Sequence, residues 1–139
     1  MNEITITKEY LRANPSHIFV FGDNCFRTGH GGAAKLRHEP NVYGFITKRS
    51  PDYLDASFFR PEDYRPFFDE EMRRLVLAIN ERPNWIFLIS RLGGGLANRF
   101  GIFEKIIQPQ IGYLARFPNV KFLFELGDVA KDEWHSPVP

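Results

Sequence analysis

The stretch His17–Phe21, with the sequence HIFVF, decides the fold class. It is a compact run of β-branched and aromatic residues that stops at Gly22, which is typical of a strand buried on both faces. Three later runs share this character: Val42–Thr47 (VYGFIT), Trp85–Ser90 (WIFLIS) and Val120–Glu125 (VKFLFE). Ile4 and Ile6 alternate with threonines and add an expected edge strand near the start.

Segments with a helical period separate these strands. Residues 61–82 begin with Pro61 and place apolar side chains three and four positions apart, which predicts an amphipathic helix. Residues 99–117 repeat the pattern, and Pro109 should kink or divide that helix. Shorter helices are expected at residues 8–14 and at residues 32–38, the latter opening directly from a glycine loop. This alternation predicts an α/β fold, a three-layer sandwich with helices on both faces of a mixed, largely parallel sheet.

Length and composition narrow the class of protein. The 139 residues predict one domain, with residues 128–139 as a surface tail. A net charge of +1 does not indicate a nucleic-acid partner, although a nucleic-acid substrate stays open. The single cysteine excludes an internal disulfide framework and a cysteine-rich zinc site. No signal peptide is visible and no apolar stretch approaches about 18 residues, so we expect a cytoplasmic protein without a membrane partner.

Polar and glycine-rich loops follow three of the predicted strands. Gly22-Asp23-Asn24 and Gly29–Gly32 follow the first, Lys48–Pro51 follows the second, and Arg91–Arg99 follows the third. In a parallel sheet these loops converge at one rim, where open α/β sheets bind their ligands. Two glycine loops before helices would offer backbone N–H groups to a diphosphate. Neither loop matches the phosphate-binding loop of nucleoside triphosphatases or the G-x-G-x-x-G dinucleotide pattern, which disfavours both classes.

The order of these motifs resembles that of the macrodomains, a family that binds ADP-ribose and often removes it from macromolecules. The resemblance rests on Phe19–Asn24, Gly31–Ala34, Ile46–Lys48 and Leu92–Leu96. The Thr47-Lys48-Arg49 step is closest to the branch that uses a lysine, which includes the terminal ADP-ribose glycohydrolases and a DNA de-ADP-ribosylating antitoxin. The likeness spans residues 18–109 and implies a macrodomain-like fold.

The resemblance also implies roles for individual residues. Asn24 would lie by the distal ribose, with Gly31, Gly32 and Ala33 beneath it, and Gly93–Leu96 would wrap the diphosphate. Lys48 would attack the anomeric carbon, a reaction open to an amine whose pKa is lowered by burial or by neighbouring cations. The expected ligand-binding residues are Gly22, Asn24, Phe26, His30, Gly31, Gly32, Ala33, Thr47, Gly93, Gly94, Gly95, Leu96, Ala97 and Asn98.

One departure from that branch leaves the function open. Where the branch has an aspartate after the glycine loop, this chain has Ala97, and the neighbouring Asn98 is not a carboxylate. Asp23 is the nearest substitute as a catalytic group, but an acidic residue there also serves to cap a turn. Three function classes therefore remain: a glycohydrolase of ADP-ribosyl linkages using Lys48, a non-catalytic ADP-ribose or nucleotide binder, and a protein-interaction domain without a ligand.

Other side chains have simpler interpretations. Cys25 and His30 could form a thiol–imidazole pair, but no spacing shows a base within reach or a third orienting group. The four histidines share no recognised ligand spacing, so no metal is expected, and no cofactor is expected either. Phe26, in the loop after the first strand, is the aromatic residue expected to contact the ligand.

Overall fold

A computed structural model describes residues 3–127 and Trp134. Four strands form one sheet in the order β2-β1-β3-β4. They are β1 (His17–Asn24), β2 (Val42–Lys48), β3 (Ile86–Ile89) and β4 (Val120–Phe122). All pairings between them are parallel, as expected, and the only antiparallel pairing within the described residues is an isolated bridge between Lys48 and Phe58. The four strands are thus confirmed, with β1 and β3 mostly buried and the outer strands β2 and β4 only partly so.

The helices differ in how closely they follow the sequence. Helix α1 (Lys8–Ala13) and helix α2 (Pro61–Glu81) form as predicted, with Pro61 in the first turn of α2. The predicted helix after the first glycine loop is one 3-10 turn, Gly32–Leu36. The helix expected from residue 99 is divided into a π-helical turn (Phe103–Ile107), α3 (Gln108–Ile111) and a 3-10 turn (Gly112–Arg116). Pro109 contributes to this division because it has no N–H for the helical ladder.

Two expectations near the ends of the chain need correction. Residues 3–7 form no strand, because Thr7 already caps α1 by accepting a hydrogen bond from the Tyr10 N–H; Ile4 makes only a single 2.8 Å backbone bond to Leu123. Trp134 is not a surface residue: it is buried, donates to Asp69 of α2 at 3.1 Å and packs edge-on against Tyr113. The remainder of the expected tail, residues 128–133 and 135–139, lies outside the described residues.

Apolar side chains cover both faces of the sheet. Ile18 and Val20 face a cluster formed by α2 and the segment 102–114, whereas Phe19 and Phe21 face a cluster that includes Leu11 of α1 and Leu36. Alternate residues of one strand therefore enter opposite cores, which is why residues 18–21 are apolar throughout. The arrangement is consistent with a three-layer α/β fold. No helix in the described part of the chain is long and apolar enough to span a membrane.

The strand order creates a switch point in the middle of the sheet. The two central strands are β1 and β3; the chain leaves β1 towards β2 on one side, and leaves β3 towards β4 on the other. The loops at the carboxyl ends of β1 and β3 therefore diverge and leave a crevice between them. Such crevices are where open α/β sheets bind ligands.

Candidate functional site

A cavity of about 370 Å³ occupies this crevice. Its wall comes from the carboxyl ends of β1 and β2 and from the loops after β1, β2 and β3. Fourteen of the sixteen residues expected at the site line it: Gly22–Asn24, His30–Ala33, Thr47, Lys48 and Gly93–Ala97. Pockets of this size are typical of small-molecule sites. The three loops thus meet at one rim.

Phe26 and Asn98 do not line the cavity. Phe26 is 67% exposed and is not among the residues that line the cavity. The Asn98 side chain is used locally: it accepts a hydrogen bond from the Phe103 N–H at 3.0 Å and donates to Glu104 at 2.9 Å. It therefore caps the helical segment that follows the glycine loop.

The Asp23 carboxylate is held by two arginines. It is buried and accepts two hydrogen bonds from Arg37, at 2.7 and 3.0 Å, and one from Arg27 at 3.3 Å. Arg37 also donates to the carbonyls of Thr28 and Gly29. Because a bidentate arginine pair satisfies both carboxylate oxygens, Asp23 is fixed as an anchor for the loop after β1. This engagement competes with the proton transfer expected of it.

Asn24 is engaged in a turn. Its side-chain amide donates to the Thr28 carbonyl at 2.7 Å and its oxygen accepts from the Phe26 N–H at 3.0 Å. Hydrogen bonds of this kind are usual for asparagine at a strand end, where the side chain shapes the backbone that follows. Asn24 therefore lines the cavity while holding the loop that forms one of its sides.

The second glycine loop presents backbone rather than helix ends to the cavity. Gly93 has a φ of +74°, and a Cβ there would overlap Ile107 Cδ1, so glycine is required at this position. Gly95 has open space around it and no left-handed φ. Within the described residues, the N–H groups of Gly93, Gly95 and Leu96 donate no hydrogen bond. These groups remain available to a ligand.

Neither glycine loop is followed directly by a long helix. The first leads into the five-residue turn Gly32–Leu36, and the second is separated from the next helical residues by Gly101, whose φ is +82°. The first loop thus opens a short 3-10 turn instead of the expected helix, and loop backbone borders the cavity. Any anion in the cavity would be held by loop N–H groups and side-chain cations instead.

Lys48 lies at the cavity wall with its ammonium group held in place. Nζ donates to the Asp52 carbonyl at 2.8 Å and lies 4.7 Å from the Tyr53 ring centre and 4.5 Å from that of Phe58. Burial lowers the pKa of Lys48, the nearby Arg99 lowers it further, and Asp52 acts in the opposite direction. A lowered pKa increases the fraction of neutral amine, which is the nucleophilic form.

Several residues of the wall carried no signal in the sequence. Glu3 lies at the cavity and makes no ion pair within the described residues. Arg91 donates to the Gly94 carbonyl at 2.6 Å and lies over the Phe103 ring, so its side chain folds back across the glycine loop. A second hollow of about 210 Å³, lined by Ile4, Phe19 and Leu36 among others, shares Glu3, Gly32, Ala33 and Ser90 with the first. Its apolar wall extends the site towards the N-terminal segment.

Two histidines meet at the rim. Nε2 of His30 and Nε2 of His38 are 3.1 Å apart, so one imidazole can donate to the other when both are neutral. Cys25 is an exposed residue, but its thiol is partly desolvated. This desolvation raises the pKa of the thiol and disfavours the thiolate. No group of three or more metal-binding side chains converges within residues 3–127 and Trp134.

The model of DUF7831, a family of unknown function, matches residues 1–99 of the chain. The chain belongs to this family. Every residue of the cavity wall falls within the matched segment, so the site lies in the part of the chain that this family shares. Comparison with curated proteins and with solved structures gives no match.

Proposed function

We propose that this cavity binds ADP-ribose or a closely related nucleotide. The observation that carries the proposal is the position of the cavity at the switch point between β1 and β3, with two glycine loops in its wall. Unpaired N–H groups in the second loop suit a phosphate group, and Lys48 and Arg91 add positive charge at the wall. The adjoining apolar hollow suits a ligand longer than a phosphate.

A hydrolase activity at this site would use Lys48 as the nucleophile. The neutral amine would attack the anomeric carbon of the ribose, the bond to the macromolecule would break, and the leaving group would take up a proton. The resulting glycosylamine on Lys48 would then open its ribose ring, with the C1–O4 bond breaking and O4 taking up the proton lost by the amine, to give an imine. Water would hydrolyse this imine, releasing ADP-ribose and the free lysine. The lowered pKa of Lys48 favours this candidate over a surface lysine with no chemical role.

The supply of the proton separates the enzyme from the binder. Ala97 lies at the wall where the macrodomain branch would place its acid, and Asp23 is engaged by Arg37. A missing acid or base costs about 10²–10⁴ in rate. The second candidate, a non-catalytic ADP-ribose or nucleotide binder, is favoured by these two observations.

Calorimetric titration with ADP-ribose, with AMP and NAD as controls, tests the binding proposal. We expect saturable binding with a micromolar Kd, about −8 kcal/mol, and selectivity for ADP-ribose. Gly95→Glu should abolish this binding because it adds a negative charge at an open position of the wall where the backbone accepts a side chain. Asn80→Glu, an exposed residue near the end of α2, adds the same charge away from the cavity and should bind normally.

The absence of heat and of a thermal shift at millimolar ADP-ribose, AMP and NAD would contradict the proposal. The third class, a protein-interaction domain without a ligand, would then be preferred. Equal loss of binding in Gly95→Glu and Asn80→Glu would also contradict it, because the effect of charge would not be local to the cavity.

Turnover is tested with ADP-ribosylated protein and ADP-ribosylated DNA as two separate substrates. If the protein is a hydrolase, Lys48→Ala should abolish release of ADP-ribose while retaining most of the affinity. Borohydride added during turnover should reduce the imine and leave the mass of the sugar adduct on Lys48, and on no residue in Lys48→Ala. Binding without release or adduct by the wild-type protein would establish the non-catalytic alternative.

A further inference from the structure

The segment that follows β2 closes on itself beside Lys48. Lys48 and Phe58 form an antiparallel bridge, and the Arg49 N–H donates to the Ser57 carbonyl at 2.9 Å, so residues 50–57 form a closed loop, here called the 50–57 loop. Inside it, the Asp52 carboxylate accepts hydrogen bonds from Ser50, Ser57 and the Leu54 N–H. The loop therefore has internal order of its own.

This loop supplies the described contacts of the Lys48 ammonium. The carbonyl of Asp52 and the ring of Tyr53 belong to the loop, and the ring of Phe58 closes it. Phe58 is buried, whereas Tyr53 is 60% exposed. Tyr53 is consequently the solvent-exposed ring of the pair around the ammonium.

Arg99 joins the 50–57 loop to the end of the second glycine loop. Its guanidinium donates to Asp55 Oδ1 at 2.7 Å and to the Tyr53 carbonyl at 3.1 Å. The same guanidinium lies 3.9 Å from the centre of the Phe58 ring that Lys48 also contacts. One arginine thus holds the residue that carries the exposed ring and packs against the buried one.

We propose that Arg99 is a positioning residue for Lys48, holding the 50–57 loop closed so that Tyr53 and Phe58 enclose the ammonium at the cavity wall. The two contacts with Asp55 and Tyr53 hold the loop, and the charge of Arg99 disfavours a second positive charge beside it. Burial is the main cause of the lowered pKa of Lys48; Asp52 of the loop raises this pKa, and Arg99 lowers it. The functional meaning of this arrangement rests on the role proposed for Lys48 above, but the arrangement itself does not require a nucleotide.

The test measures the reactivity of Lys48 in the full chain without a nucleotide. An amine reagent such as acetic anhydride labels lysines as neutral amines, and mass spectrometry of peptides gives the rate at Lys48 from pH 6 to 11. The midpoint of that profile reports the protonation of the amine, and the limiting rate at high pH reports its accessibility. Lys121, an exposed lysine on β4, provides the internal reference.

Two variants separate the hydrogen bonds of Arg99 with the 50–57 loop from the effect of its charge. In Arg99→Gln we expect the midpoint to move to higher pH and the limiting rate to rise about threefold, the scale of one partly exposed contact. In Arg99→Lys the charge remains but the paired hydrogen bonds are lost, so the limiting rate should rise with little change in the midpoint. Arg60→Gln is the matched control, because Arg60 lies over the ring of Phe100 at 4.0 Å and has no described contact with the 50–57 loop.

An unchanged limiting rate at Lys48 in both Arg99 variants overturns the proposal, as does an equal rise in Arg60→Gln. Thermal unfolding of each variant checks that the fold is intact, and Arg99→Lys remains usable should Arg99→Gln unfold. Failure of this positioning role can be told apart from failure of the proposed function. A protein that does not bind ADP-ribose would still show the shift at Lys48 if Arg99 positions it.

Discussion

The two ends of the sheet are built in opposite ways. At the amino end, a buried asparagine precedes each outer strand: Asn41 before β2 and Asn119 before β4. The side chain of Asn41 donates to the carbonyls of residues 11, 14 and 17, and that of Asn119 to the carbonyls of residues 79, 82 and 85, all within 3.2 Å. Asn41 therefore connects the end of α1 to the start of β1. Asn119 connects the end of α2 to the start of β3 in the same way.

At the carboxyl end of the sheet, the two central strands β1 and β3 lead into loops that differ in construction. The loop after β1 is shaped by Asp23 and its arginines, whereas the loop after β3 depends on glycines and has several N–H groups with no partner among residues 3–127 and Trp134. Carbonyls at the amino end are paired with the same kind of donor twice, and the loops at the carboxyl end share no such device. The amino end of the sheet therefore fixes the strands, and the loops at the carboxyl end form the cavity.

Removing an asparagine of the amino end should have the largest effect on stability. Asn119→Ala removes an amide that donates to three carbonyls, two of which also accept a backbone N–H. The loss should lower the free energy of unfolding by about 2 kcal/mol. Asn41→Ala should cost a similar amount, since it makes the same three kinds of contact. Urea unfolding measures both, with the exposed Asn80→Ala as the control. A loss below about 1 kcal/mol in both would mean that the two ends do not differ as described.

The glycines of the carboxyl end should divide into a structural one and a replaceable one. Gly93→Ala forces a side chain into a left-handed backbone against Ile107 and should cost about 2 kcal/mol. Gly95→Ala meets open space and should change stability by less than about 0.5 kcal/mol. Equal losses in the two variants, by the same urea measurement, would show that the whole loop is constrained by the fold.

The lateral edge of the sheet gives the smallest effect and one that depends on pH. Glu71 of α2 is buried, and burial raises the pKa of its carboxyl above the ordinary 4.5, while Arg27 and Arg74 act against this. A raised folded pKa contributes stability that is complete below about pH 4.5 and is lost as the pH rises through the folded value. Glu71→Gln keeps an acceptor for the Ile46 N–H but does not titrate.

The stability of wild type relative to Glu71→Gln should therefore fall between pH 4 and pH 7. Unfolding midpoints of the two proteins across this range measure the difference directly. A difference that stays constant, or that grows in favour of wild type as the pH rises, would mean that the two arginines outweigh burial at this position.

The strands and the longest helix could be read from local patterns. His17–Phe21 is apolar because both faces are buried, and residues 61–81 carry one apolar stripe that packs on the sheet. Ile4 and Ile6 have the same residue types as a strand, but the cap at Thr7 ends that segment too early. The triplet Pro-Asn-Val occurs twice, at residues 40–42 and 118–120, and marks both amino-end asparagines in the sequence.

The site was predictable only in part. Its glycine ranges and Lys48 follow strand ends, so a parallel sheet alone brings them to one rim. The contacts of Arg99 with Asp55 and Tyr53 were not predictable from the sequence. They join residues that are 44 and 46 positions apart along the chain and that meet only after folding. Phe26 was expected to contact the ligand from its place in a loop, but it lies in the turn closed by Asn24 and does not line the cavity.

The contacts of Glu71 and Tyr64 with β2 also bear on how copies of this chain can associate. On this outer strand, the Ile46 N–H donates to Glu71 at 2.6 Å and the Ile46 carbonyl accepts from the Tyr64 hydroxyl at 2.5 Å. A strand from another molecule would have to displace both side chains before it could pair there. Extension of the sheet by strand addition is therefore opposed on the β2 side, which protects this edge from aggregation.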